Sequence, residues 1–189
     1  MNAKCFCLLF LMIMLFSCRN NDDKQLAGQQ KDAQTKELIF TKISKGWHFA
    51  TPPLNPTTQA MVQNWAELRG FTMALYETPK SSIGAFQKKA KELSAKSVAL
   101  NRNIPAAFNK PEIKSRISAL VTRINSINLF INIDAIPEQK VLDLISEVDI
   151  TLTSLYAQMD EIVRKSQIPK EEGESDMIRM LDTSRAIPN

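Results

Sequence analysis

The chain has 189 residues, 44% of them apolar and 23% charged, and its 24 basic and 20 acidic side chains leave a net charge of +4. Such a mild bias, without a concentrated basic face interleaved with aromatics, gives nucleic-acid binding no support, and no nucleic-acid partner is expected. The one histidine, His48, excludes multi-histidine zinc sites and the Glu-x-x-His pairs of di-iron bundles, and the three cysteines, Cys5, Cys7 and Cys18, leave residues 19–189 without disulfides, cysteine nucleophiles or thiolate metal sites.

At the start of the chain, Lys4 is followed by eleven apolar residues, Phe6 to Phe16, and then by Ser17 and Cys18. The run is too short for a bilayer-spanning helix, which needs about 20 apolar residues, and matches the roughly 7 to 15 of a signal-peptide core. Leu15, Ser17 and Cys18 resemble the lipobox of bacterial lipoproteins, although Phe16 stands where a small or aliphatic residue is usual; ordinary secretion with simple cleavage is the rival reading. The resemblance implies that residues 1–17 are a leader and that Cys18 becomes the new first residue, carrying a diacylglyceryl group on its thiol and usually an acyl chain on its amino group. Membrane lipid is then the first partner, held by several acyl chains at about 0.8 kcal/mol per methylene. Arg19 is not the aspartate that retains such proteins in an inner membrane, which favours the outer membrane of a Gram-negative envelope, periplasmic or surface-facing. Without the leader, 23 basic side chains face 20 acidic ones.

From Arg19 to Glu37 the only apolar residues are Leu26, Ala27 and Ala33. A stretch this polar buries too little surface to offset the entropy of ordering, so residues 18–37 read as a disordered tether with an end-to-end distance of roughly 25 Å. Residues 38–189 then form a single helical domain. Its first segment, Leu38 to Leu54, closes in Thr51-Pro52-Pro53 and reads as extended, lying across the body with Trp47 and Phe49 turned inward.

Beyond Leu54 the pattern becomes helical. Prolines at 56, 79, 111 and 137 each precede a long 3.6-period stretch, as expected of first helical positions, with Asn55 and Thr78 suited to cap the first two. The expected helices cover about 56–77, 79–101, 111–133 and 137–165. Their apolar stripes are Met61, Trp65, Leu68, Phe71 and Leu75; Ile83, Phe86, Ala90, Leu93 and Leu100; Ile113, Ile117, Leu120, Ile124, Ile127 and Ile131; and Val141, Leu144, Val148, Leu152, Leu155, Met159 and Ile162. Short connections favour antiparallel neighbours. The fold class is therefore all-α, an antiparallel four-helix bundle with an N-terminal extended segment and a short C-terminal helix at about 174–183. Glu92–Lys96, Glu112–Arg116 and Asp160–Arg164 are spaced for surface ion pairs. Ile-Pro recurs at 104, 136 and 168, but the intervening sequences share too little for a repeat.

No spacing marks a catalytic site, no cofactor is expected, and no metal site has a motif behind it. His48, between Trp47 and Phe49, reads as a packed histidine rather than a general base. Asp143 and Glu147 lie one turn apart but off the apolar stripe, as a solvated pair would. Lys88, Lys89, Lys91 and Lys96 read as a solvated basic face, moderated by Glu92. Asn125 and Asn128 belong to an uncharged polar row with Ser115, Ser118, Thr122 and Asn132, where Asn128 lies nearest the apolar side and suits a register-fixing polar group. Met177 and Met180, with Ile178 and Leu181, form a short apolar face that must dock on the bundle or on a partner.

Two readings of function remain in front. The first is a non-enzymatic, membrane-tethered helical module that binds a protein or other envelope component. The second is a lipoprotein that binds a small sugar, peptide or lipid between the bundle and the Leu38–Leu54 segment, using Trp47, Trp65 and the asparagines. An envelope hydrolase built on Asp143, Glu147 and His48 is the weakest.

Overall fold

The structure is a computed structural model and describes residues 19–168, in which every regular element is helical. In chain order these are α1 (Arg19–Gly46), α2 (Pro56–Val62), α3 (Ala66–Tyr76), α4 (Ile83–Ala99), a 3-10 turn (Ala106–Phe108), α5 (Pro111–Ile131) and α6 (Glu138–Ser166). The all-helical class read from the periodicity is what the described residues adopt. Cys18, Met177, Met180 and the helix expected at 174–183 lie outside them.

The N-terminal expectation needs correction. Residues 19–37, read as a disordered tether, form one continuous helix with residues 38–46, and the extended segment shrinks to Trp47–Asn55. No proline interrupts the sequence from Arg19 to Gly46, and most of its residues are good helix formers, so backbone propensity prevails where burial is lacking. The Thr35 and Thr41 hydroxyls donate to the carbonyls of Lys31 and Glu37, one turn back. Its closest packing on the body is in the last two turns, where Ile43 is fully buried, and Ala33, Lys36 and Glu37 flank the start of α4 without being buried. The α1 backbone comes close to α6 side chains there: a Cβ on Gly46 would collide with the Leu142 side chain.

The N-terminal segment runs alongside α6 in the same direction. Lys42 pairs with Glu138, the Thr51 hydroxyl donates to Asp149 at 2.6 Å, and the Asn55 N–H donates to Asp160 at 3.2 Å. Residue numbers rise together along these contacts. Along the other neighbours they run opposite ways: Glu67 with Asn103 and Glu77 with Lys89 link α3 to α4, Gln87 with Ile131 and Ser94 with Asn125 link α4 to α5, and Arg116 with Ser154 and Arg123 with Glu147 link α5 to α6.

One core unites these elements. The whole α5 stripe, Ile113 through Ile131, is buried as its spacing requires, each side chain stabilising by about 1.5–3 kcal/mol relative to exposure. On α6 the stripe widens to take in Ile145 and Val163, and Ile162 is only half-buried.

The helix expected at 56–77 is two helices meeting at a turn, Gln63–Trp65. Trp65 is withdrawn completely into the core, where its indole N–H donates to the Arg102 carbonyl at 3.0 Å, and Met61 is left 41% exposed. That deep anchor at the helix joint outweighs the continuous periodicity. Asn55 does cap α2, its side-chain oxygen accepting from the Thr58 N–H at 2.8 Å. Thr78 does not cap the next helix. Pro79 is buried and α4 starts at Ile83 behind Ser82. Asn103 closes the turn after α4 with φ 52°, a left-handed conformation that asparagine tolerates.

Of the three expected ion pairs, Glu92–Lys96 forms at 3.7 Å. Arg116 instead donates to the Glu112 backbone carbonyl, and Arg164 turns to Glu161 while Asp160 accepts from Asn55. The lysine row on α4 is divided: Lys89 is nearly buried and bridges Glu77 and Glu92, leaving Lys88 and Lys91 in solvent.

Candidate functional site

The residues singled out from sequence separate into core and surface. Trp47 is buried, donates from its indole N–H to the Leu75 carbonyl at 3.0 Å, and packs edge-on against Phe49 with ring centroids 5.4 Å apart. Trp65 anchors the other end of α3. Both polar handles are thus satisfied by backbone carbonyls inside the fold. His48 points to solvent between its two buried neighbours. Asn125 is exposed and accepts from Ser94 at 2.6 Å, and Asn128 is half-buried and accepts from Asn132 at 2.7 Å. Asp143 accepts from Gln139 at 2.9 Å, and Glu147 faces Arg123 at 3.4 Å. The tryptophans, His48 and asparagines do not converge.

A cleft of about 510 Å³ lies elsewhere, against the extended segment. One wall is Thr51, Pro52, Pro53 and Leu54; the other is built by Gln59, Val62 and Gln63 at the end of α2, by Leu68, Arg69, Thr72 and Tyr76 on α3, and by Tyr156 on α6. The fold forms it because Thr51 and Asn55 are tied to α6, which bows the proline-rich strand across the gap between α3 and α6. Two prolines with fixed φ and no N–H to satisfy keep that strap extended.

Both tyrosines of the chain line this cleft. Burial, and secondarily the neighbouring charge of Tyr76, pushes the Tyr156 hydroxyl well above its ordinary titration range, so it stays a neutral donor and acceptor. Tyr76 is half exposed and packs edge-on against Phe49, centroids 6.1 Å apart, which links the cleft to the aromatic core around Trp47. Of the described lining residues Arg69 alone is charged. It donates once to the Gln63 carbonyl at 2.8 Å, one of the five N–H groups a guanidinium carries. The Thr51 and Thr72 hydroxyls are already engaged, with Asp149 and with the Leu68 and Arg69 carbonyls.

Of the Leu38–Leu54 segment only Thr51, Pro52, Pro53 and Leu54 line this cleft, and the lining includes none of Trp47, Trp65, Asn125 or Asn128. Tyr76, Arg69 and Tyr156 carry no motif; the one sequence signal is the Pro52-Pro53 pair, which marks where the strap must stand off the helices. Among the described residues no group of three or more His, Cys, Asp or Glu is placed to hold a metal ion, and no helix is long and apolar enough to cross a membrane. In comparisons with protein families, curated proteins and solved structures, nothing matches the chain.

Proposed function

We propose that this chain is a lipid-anchored, non-enzymatic helical module of the bacterial cell envelope whose body binds a protein or other envelope component. The observation that carries the reading is the leader itself: Lys4, the apolar run Phe6–Phe16, and Ser17-Cys18. Acyl chains on Cys18 would hold the body at a membrane surface, and Arg19 favours an outer membrane. In the same reading the body is an antiparallel four-helix bundle, α2 and α3 together acting as the first member; the opposed residue numbering between α3 and α4, α4 and α5, and α5 and α6 supports this arrangement. The test is intact-mass and peptide mass spectrometry of the protein from membranes. A mature chain that begins at Cys18 and carries diacylglyceryl and acyl mass supports the proposal; an uncut leader or a free thiol at that position sinks it.

A second reading, small-ligand binding, is favoured by the cleft. Its volume falls within the range of about 300–1,000 Å³ typical of small-molecule sites.

A further inference from the structure

We propose that the cleft binds a single-chain fatty carboxylate, its hydrocarbon lying along Pro52, Leu54 and Leu68 between the two tyrosine rings and its carboxylate on Arg69. The proposal rests on the ligand-binding reading and names the ligand class for that site.

Three features of the walls narrow the chemistry. First, the lining is mostly apolar, with one positive charge and no negative one among the described residues, so a single anionic group on an apolar body is complemented. A cationic head would find no carboxylate there, and a dianion would find only one cation. Arg69 has donors to spare after its bond to Gln63, and a guanidinium matches a carboxylate with two parallel N–H donors.

Second, the strap is a poor partner for peptide. An extended peptide gains most of its affinity from main-chain hydrogen bonds to an exposed edge, and Pro52 and Pro53 present no N–H to pair with it.

Third, the lining is more apolar than polar. Both threonine hydroxyls are committed as donors within the protein, which leaves the two tyrosine hydroxyls and the Gln59 and Gln63 amides to serve a sugar, whose every hydroxyl needs a partner once desolvated. A hydrocarbon chain needs none.

The test uses the full chain in membranes and photolabelling with a diazirine-bearing dodecanoate, with the matching diazirine dodecanol as the uncharged control. Expected are adducts on the peptides holding Pro52–Leu54 and Leu68–Tyr76, with dodecanoate at least five-fold above dodecanol. Arg69→Gln should bring the two probes to parity and Arg69→Lys restore part of the preference. Because Arg69 is exposed, the variants should keep the wild-type circular dichroism. Leu54→Glu, which places a like charge in the cleft, should abolish the dodecanoate adducts. Equal labelling of these peptides by both probes in the wild type overturns the carboxylate selection and leaves the cleft a ligand site. Labelling of them by neither overturns this proposal and leaves the ligand-binding reading to sugars and peptides, while the lipid anchor stands or falls on its own mass measurement.

Discussion

Trp65 shows how much one side chain can reshape a helix. Its indole fills the core at the α2–α3 joint and its N–H closes on the Arg102 carbonyl. Trp65→Phe leaves that carbonyl without its partner and opens a small void, so stability should fall by about 2 kcal/mol, read as a lower urea midpoint. Tyr156 makes a pH-dependent contribution. Its hydroxyl titrates higher in the folded chain than in the unfolded one, so the associated stability is whole below about pH 10 and is lost as the pH rises further. Thermal melts should show the wild type losing stability above that pH, and Tyr156→Phe should flatten this alkaline slope. At the acid end the signs reverse. A hydrogen bond and charge from Lys89 hold Glu77 below the ordinary carboxylate range, and Arg164 and Lys165 do the same for Glu161. Both contributions are present above that range and fade as pH falls through the lowered values. Burial alone would lower the pKa of Lys89, but its hydrogen bonds to Glu77 and Glu92 outweigh that and keep the ammonium charged.

At the scale of elements, α1 divides into two parts with different physics. From Gln29 to Glu37 its side chains are exposed, while Ile43 is fully buried and Gly46 lies close against α6. A polar helix that buries no side chain against the body opens readily. Hydrogen exchange should therefore be fast from Gln29 to Lys36 and slow by orders of magnitude around Ile43 to Trp47. Gly46→Leu should push α1 away from Leu142 at about 1–3 kcal/mol, measured by denaturant unfolding. The same contrast explains what is legible in the sequence. The α5 stripe reads residue for residue because strict spacing of Ile and Leu has one solution. The helical start of the chain escapes such a reading because its pattern has no apolar period, and propensity without burial leaves almost no trace. The break at Trp65 escapes it because a tertiary hydrogen bond to a residue 37 positions away decides it.

For the whole molecule, little of the cleft is legible in the sequence. Pro52-Pro53 marks where the chain stands away from the helices, but Arg69, Tyr76 and Tyr156 come together only when α3, α6 and the strap are assembled. Hydrogen bonds from Thr51 and Asn55 to α6 hold the strap in place. Thr51→Val should loosen it with little effect on the core, so the melting temperature should shift by only a few degrees while labelling of the cleft becomes weaker and less selective.

On the proposed anchoring through Cys18, the continuous helix α1 would, while it stays closed, act as a crankshaft between membrane and body. Each residue of α1 advances the chain by about 1.5 Å and turns it by about 100°. With Cys18 pinned to a surface, removing two residues from the Gln29–Lys36 stretch would turn the whole body by about 200° about the α1 axis, carrying the cleft to the opposite side of that axis while lowering it only slightly. Removing seven, close to two full turns, would bring it about 10 Å nearer the headgroups with its azimuth nearly restored. A slack string in the same position would respond to neither change in direction.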